Sequence, residues 1–166
     1  MIDAALAWGL VGRGVGLVYF LSFLSIAPQI TMLAGRAGLA PFGPTLARLR
    51  RDFPSSYWYH FPSVFWLIGS SDRALVGTPL LGAICAAAVV SGCASRAALC
   101  SALFLMRSLD LPIGLLYPWD SMLLESGALT LLLPPLLPIT SSLAATAAPH
   151  PWVSGEIGRA SCRERV

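Results

Sequence analysis

The chain has 166 residues, of which 56% are hydrophobic and 11% carry a charge. This composition excludes an ordinary soluble domain, because about a quarter of the residues of such a domain are charged. The formal net charge of +3 is too small, and too scattered along the sequence, for a protein that binds nucleic acid.

Three long stretches of the sequence, 14–35, 74–95 and 126–155, contain no Asp, Glu, Lys or Arg. About 20 apolar residues are enough to cross a bilayer as a helix, so the pattern indicates an integral membrane protein. Backbone polar groups in lipid must be bonded within their own helix. We therefore predict an all-α fold, a polytopic bundle of three to four transmembrane helices, with spans at 14–35, 74–95, 97–117 and 121–148.

The first predicted span follows Arg13 and carries a proline near its end. We expect Pro28 to kink this helix or to end it near Ala27, since proline removes a helical hydrogen bond. Gln29 then falls at the end of the span, where a polar amide reaches the membrane interface.

The connection after the first span is polar and is broken by glycine and proline. Its basic run, 45–51, predicts a short helix on the membrane surface. Five aromatic residues follow within 53–61, a cluster that is typical of the interfacial aromatic belt. The short apolar stretch 63–69 predicts an interfacial or re-entrant helix.

The second span is predicted to begin after Asp72, acting as the N-cap, and to end at Ser91–Gly92. The third span contains Arg107 and Asp110, which are three residues apart and can pair on one helix face. A charged pair inside a membrane span is a candidate functional site. The alternative is that the pair only holds helices together, or that the helix breaks near Pro112.

Two acids lie in otherwise apolar sequence after the third span. Because Pro118 disfavours helix at the residue before it, we predict that Asp120 caps the helix that follows. Glu125 lies roughly 140° further around that helix, so the two acids do not share a face and are not an acid/base pair. We expect Glu125 to face the bundle and to meet Arg107, the arginine placed well inside another span.

The sequence predicts no catalytic residue, no cofactor site and no metal site, because it contains none of the common catalytic, phosphate-binding or zinc motifs. Cys85, Cys93 and Cys100 have spacings that match no metal or redox motif. We interpret them as small buried thiols in helices.

Residues 119–127, with the sequence WDSMLLESG, resemble the "WDxLLLExG" signature of the lipase maturation factor family. Residues 19–39 are similar to the family's "LSLxxQIxGLxGxxGLLP" run, and residues 62–67 to its "PTLLWL". The chain departs from the family at 31–32, where Pro-Gly is usual, and at 117–118, where an aromatic-Gln pair is usual. The residues that carry the resemblance are Gln29, Gly35, Gly38, Trp119, Asp120, Leu124, Glu125 and Gly127.

The resemblance implies a multi-pass membrane protein of the endoplasmic reticulum that assists the folding and assembly of secreted lipases. Its expected partners are membrane lipid and, as clients, dimeric lipases of the lipoprotein lipase type; no nucleic acid, cofactor or catalysis is expected. The resemblance also implies a lumenal first loop, whereas the four arginines within 36–51 would place that loop in the cytosol by the positive-inside rule.

Two other functions fit the same residues. In a membrane enzyme similar to the vitamin K-dependent carboxylase group, Arg107, Asp110, Asp120 and Glu125 would line a polar cavity. In a transporter, the proline-broken segment after Asp120 would be the pointer to a binding site.

The last residues, 156–166, resemble a translated sequencing adapter, and the composition agrees with this, because charge returns abruptly after the uncharged run. We therefore predict that residues 1–155 are the N-terminal membrane region of a longer protein. Family members carry a large further domain after this region.

Overall fold

The computed structural model describes residues 4–113, 118–136 and 138–146. The helices are α1 (Ala4–Ala34), α2 (Phe42–Asp52), α3 (Tyr57–His60), α4 (Phe65–Ile68), α5 (Asp72–Ser91), α6 (Ser95–Ile113) and α7 (Pro118–Thr130). The described residues contain no β-strand, and an isolated antiparallel bridge joins Leu136 to Ala145. The predicted all-α class is therefore confirmed.

Helices α1 and α5 are long and apolar enough to cross a membrane. At a rise of about 1.5 Å per residue, the 31 residues of α1 extend roughly 46 Å, which exceeds the hydrocarbon thickness of about 30 Å. These two helices support the prediction of a membrane helix bundle.

Helix α1 begins ten residues before the predicted first span, 14–35, and ends within one residue of its predicted end. It begins at Ala4 and passes through Arg13, because the apolar sequence before that residue continues the same helix. It also continues through Pro28 to Ala34, so of the two effects expected of this proline the end near Ala27 is wrong. Proline removes only its own N–H bond, and the Pro28 ring causes no break in the remaining turns.

Helix α5 is capped by Ser71 and not by Asp72. The Ser71 side chain accepts a hydrogen bond from the Ala74 N–H at 3.2 Å, whereas Asp72 is the first helical residue and accepts from the Arg36 N–H at 3.0 Å. The end of α5 agrees with the prediction: Gly92 has a φ of 78° and forms the left-handed C-cap.

Helix α6 follows α5 after three residues and therefore packs antiparallel to it. It carries Arg96 near its start and the pair Arg107 and Asp110 in its second half. The described part of the third predicted span is thus helical up to Ile113.

The fourth predicted span, 121–148, is not a continuous helix. Helix α7 ends at Thr130, and its 13 residues extend only about 20 Å. The residues described from 131 to 146 are turns and extended chain. Pro134 and Pro135 lack backbone N–H groups, so the helix cannot be extended regularly through them.

The core lies where α1, α5 and α6 meet. Tyr19, Phe23 and Ile30 of α1 are fully buried together with Leu75 and Ala86 of α5. The two apolar helices approach closely because large side chains face glycines: Phe23 packs on Gly82, and a Cβ on Gly16 would lie 2.9 Å from the Val89 side chain.

The connection between α1 and α5 folds back on the end of this bundle. Helix α2 confirms the predicted short basic helix, and α3 and α4 are single turns. The Phe42 ring meets the Phe65 ring edge-on at 5.2 Å, and both side chains are buried. The Val64 N–H donates to Ser108 Oγ at 3.0 Å, which ties the connection to α6.

Candidate functional site

The structure brings two of the sequence motifs into direct contact at Tyr19. This side chain lies in the middle of α1 and is completely buried. Its hydroxyl group donates a hydrogen bond to the Leu123 carbonyl of α7 at 2.7 Å. A buried hydroxyl without a partner would be costly, so this bond fixes the position of α7 against α1.

Gly127 is the residue of α7 that makes this contact sterically possible. A Cβ at this position would lie 2.5 Å from Tyr19 Oη and 2.8 Å from Leu103 Cδ2 of α6. Both distances are well below ordinary van der Waals contact. Gly127 therefore lies at the point where α1, α6 and α7 meet, and a larger residue would push them apart.

The other motif residues of α7 have different surroundings. Leu124 is partly buried and packs on the core, whereas Glu125 is exposed. Asp120 is the third residue of α7 and not the residue before it, because the helix already begins at Pro118. The side chains of Trp119 and Asp120 lie outside the described part of the structure.

The motif residues at the other end of α1 shape its exit from the bundle. Gln29 is exposed, and its side chain donates to the Ser25 carbonyl of its own helix at 2.9 Å. The Gly35 N–H donates to the Thr31 carbonyl at 3.0 Å, and the Gly38 N–H to the Gly35 carbonyl at 2.9 Å. These bonds end the helix and reverse the chain towards α2.

Arg107 and Asp110 form an ion pair on α6, as their spacing predicts. Asp110 is the more buried partner, with 17% of its side chain exposed against 40% for Arg107. Arg107 therefore has a different partner from the expected one, and the structure shows no ion pair between Arg107 and Glu125 in the described residues. Glu125 is exposed because it lies on the side of α7 away from the core.

Arg13 is a buried cation whose role the sequence did not reveal. It is only 7% exposed, and its guanidinium donates to the Leu143 carbonyl at 2.6 Å and to the Ser142 carbonyl at 3.3 Å. An arginine between two apolar stretches was a visible signal, but Ser142 and Leu143 lie about 130 residues away in the sequence, and of these three partners only the Gly9 carbonyl, at 3.4 Å, is local. Arg13 thus bonds a non-helical segment to α1.

The described residues of the segment 131–146 form further hydrogen bonds with the end of α5 and the start of α6. The Arg96 guanidinium donates to the Leu133 carbonyl at 3.2 Å, and Ser95 Oγ accepts from the Leu136 N–H at 3.0 Å. The Ile139 N–H donates to the Ser91 carbonyl at 3.0 Å. Irregular backbone is tolerated beside membrane helices only when protein groups satisfy it in this way.

The described residues offer no group of three His, Cys, Asp or Glu side chains that could hold a metal ion. A cavity of about 370 Å³ opens between the end of α1, the start of α2 and Ser70. Its lining includes Arg36 and is otherwise small and neutral. The site that carries the sequence motifs is thus a helix-packing contact.

Comparison with known proteins gives one consistent result. A family model described as the lipase maturation factor transmembrane domain matches residues 7–157. The chain is similar to bovine (Bos taurus) lipase maturation factor 1, with 32% identity over 151 residues, which is 85% of this chain and 26% of the relative. It is also similar to the mouse (Mus musculus) protein of the same name, with 32% identity over 138 residues, 75% of this chain and 23% of the relative.

The chain spans about a quarter of the length of these curated relatives. No solved structure matches it.

Proposed function

This chain belongs to the lipase maturation factor family, and on that premise we propose that the protein assists the folding and assembly of secreted lipases in the membrane of the endoplasmic reticulum. The observation that carries the proposal is the match of the family's transmembrane domain to residues 7–157. The names of the bovine and mouse relatives support the same role.

The described residues supply the membrane part of this role. Helices α1 and α5 are suited to cross the bilayer, and the contact of Tyr19 with α7 holds a further helix against them. In the proposal, this rigid bundle anchors the protein and orients the parts of it that bind the lipase.

The proposal is tested by complementation. A full-length protein containing this region is expressed in cells that lack their own lipase maturation factor, together with a secreted dimeric lipase. We expect lipase activity to appear in the medium and the protein to co-localise with a marker of the endoplasmic reticulum. A protein that is abundant and stable but restores no lipase activity would contradict the proposed function.

The same cells test whether the membrane bundle contributes. A Gly127→Leu variant introduces a large side chain where Tyr19 and Leu103 leave no room for a Cβ, so we expect it to lose lipase maturation. Gly77→Leu is the matched control, because this position on α5 has open space around it. If the two variants support lipase maturation equally well, maturation does not depend on the packing of the bundle at Gly127.

The orientation of the first loop is tested by inserting glycan-acceptor sites between residues 38 and 56. Glycosylation of these sites supports the lumenal loop that the family resemblance implies. Failure at every site would place the loop in the cytosol, in agreement with its arginines.

A further inference from the structure

One charged surface has no role in the proposed function. Helix α2 exposes Arg48, Arg50 and Arg51 within four residues. The following turn exposes Trp58, with 41% of its surface accessible, and Tyr59, with 87%. This basic–aromatic surface comprises Arg48, Arg50, Arg51, Trp58 and Tyr59.

The packing of α2 determines which way its arginines point. Phe42 is buried against the bundle, and Leu46, four residues further, packs partly on the same core. This face of the helix is therefore covered by protein. Arg48 and Arg51 lie on the other side, three residues apart and thus adjacent on the helix surface.

The arginines of this surface form no ion pair with the described residues. No carboxylate of those residues, including that of the adjacent Asp52, lies within ion-pair distance of Arg48, Arg50 or Arg51. Like charges at neighbouring helix positions are mildly destabilising on their own. An external anion that lies between the arginines would remove this repulsion.

The aromatic part of the surface is joined to the basic part. The Arg50 guanidinium lies 5.9 Å from the centre of the Tyr57 ring. The Tyr57 ring in turn neighbours the rings of Trp58, at 6.1 Å, and Trp66, at 4.7 Å. Arg50 thus joins the basic helix to the aromatic segment that exposes Trp58 and Tyr59.

The position of the surface in the fold restricts the kinds of ligand that can reach it. It lies between the end of α1 and the start of α5, the two helices that are suited to cross the membrane. A connection between two spanning helices begins where the chain leaves the hydrocarbon, and exposed Trp and Tyr side chains commonly lie at that boundary. Arginine is the side chain best suited to bind phosphate, because its planar guanidinium forms two parallel hydrogen bonds.

From the unpaired arginines, the joined aromatic rings and this position, we propose that the basic–aromatic surface binds the head groups of anionic phospholipids. The phosphate and carboxylate groups of the lipid meet Arg48, Arg50 and Arg51, while Trp58 and Tyr59 pack at the level of the head groups. The surface thereby fixes the depth of the connection between α1 and α5 in the membrane.

The test uses a photo-reactive side chain at the surface itself. Tyr59→benzoylphenylalanine is introduced into the full-length protein, which is reconstituted in nanodiscs of phosphatidylcholine containing one fifth phosphatidylserine. Cross-linked lipids are identified by mass spectrometry. Ile84→benzoylphenylalanine is the control, because Ile84 is 67% exposed in the middle of α5.

We expect the ratio of phosphatidylserine to phosphatidylcholine among the adducts at position 59 to exceed the ratio in the bilayer by about fivefold or more, since one arginine near an anionic surface has about that effect. At position 84 the adducts should follow the bulk composition. Enrichment at position 59 should fall as the salt concentration is raised. Equal adduct compositions at the two positions would overturn the proposal.

Two triple variants separate charge from folding. Replacing Arg48, Arg50 and Arg51 with Gln should abolish the enrichment, whereas replacing them with Lys should preserve most of it. Both variants must retain the helicity of the parent protein; if the Gln variant does not, the salt dependence of the parent protein decides.

A protein ligand for the surface gives a different result. If the Gln variant keeps the phosphatidylserine enrichment but loses lipase maturation, the arginines bind an acidic protein surface and the lipid proposal is wrong. Loss of the enrichment with unchanged maturation would support the lipid site and leave the proposed function intact.

Discussion

The substitution Gly127→Ala adds a single methyl group at the contact between α1, α6 and α7. The new Cβ would lie 2.5 Å from Tyr19 Oη and 2.8 Å from Leu103 Cδ2. Tyr19 is fully buried and hydrogen-bonded, so its ring has no free space to move into. The helices must therefore separate, or the Tyr19 hydroxyl must leave the Leu123 carbonyl.

The expected change in stability is the sum of two costs and one gain. Overpacking a tight contact costs about 1–3 kcal/mol, and losing the Tyr19 hydrogen bond costs about 1 kcal/mol more. Alanine in place of glycine favours the helix by about 0.5–1 kcal/mol. The steric cost is larger than this gain, so we expect a net loss of stability of roughly 1–3 kcal/mol.

The assay measures unfolding by denaturant in detergent. The circular dichroism signal of the helices reports the fraction of folded protein. Gly77→Ala is the matched control, because Gly77 also lies in a helix but a Cβ added there would meet no neighbouring atom within 4 Å. There the helix preference acts alone, so the control should be neutral or stabilised by about 0.5–1 kcal/mol.

A double-mutant cycle identifies the cause. Tyr19→Phe alone should cost about 1 kcal/mol through the lost hydrogen bond. Because it also removes the Oη atom that the new methyl group meets, Tyr19→Phe combined with Gly127→Ala should cost less than the sum of the two changes. Strict additivity, or a stabilising Gly127→Ala, would refute the packing argument.

Three further predictions concern charged and capping residues. Arg13→Gln should destabilise the protein by about 2–4 kcal/mol, because carbonyls of 131–146 lose their donors. Hydrogen exchange of that segment should accelerate. Arg51→Gln, at an exposed position, is the control and should leave the exchange rate of the segment unchanged. Ser71→Ala should cost about 1 kcal/mol in thermal unfolding through loss of the α5 cap, and an unchanged midpoint would contradict this role. Glu125→Gln should alter stability by less than about 0.5 kcal/mol, because the side chain is exposed; a larger loss in the same assay would reveal a partner.

The features that the sequence predicted well depend on local properties. The uncharged runs indicated membrane helices because a bilayer requires a fixed length of apolar chain. The end of α5 at Gly92 and the pair of Arg107 with Asp110 also followed from spacing alone. In each case the interacting groups lie within a few residues of one another.

The sequence predicted helix caps and helix ends less well where two neighbouring residues can serve the same purpose or where packing competes with a local preference. Ser71 and Asp72 are both good caps, and the bond of Asp72 to the Arg36 N–H decides between them. Helix α1 continues through Pro28 because the packing of its last turns outweighs one missing hydrogen bond.

The sequence by itself thus determined the all-α class, the family and two of the four predicted spans, since composition, run length and motif spacing are properties of the chain. Only the tertiary structure decided that Tyr19 bonds α7, that Gly127 must be small, and that Arg13 holds the segment 131–146. The physical reason is sequence separation: these partners lie 104 to 130 residues apart, and no local preference specifies which buried donor meets which carbonyl.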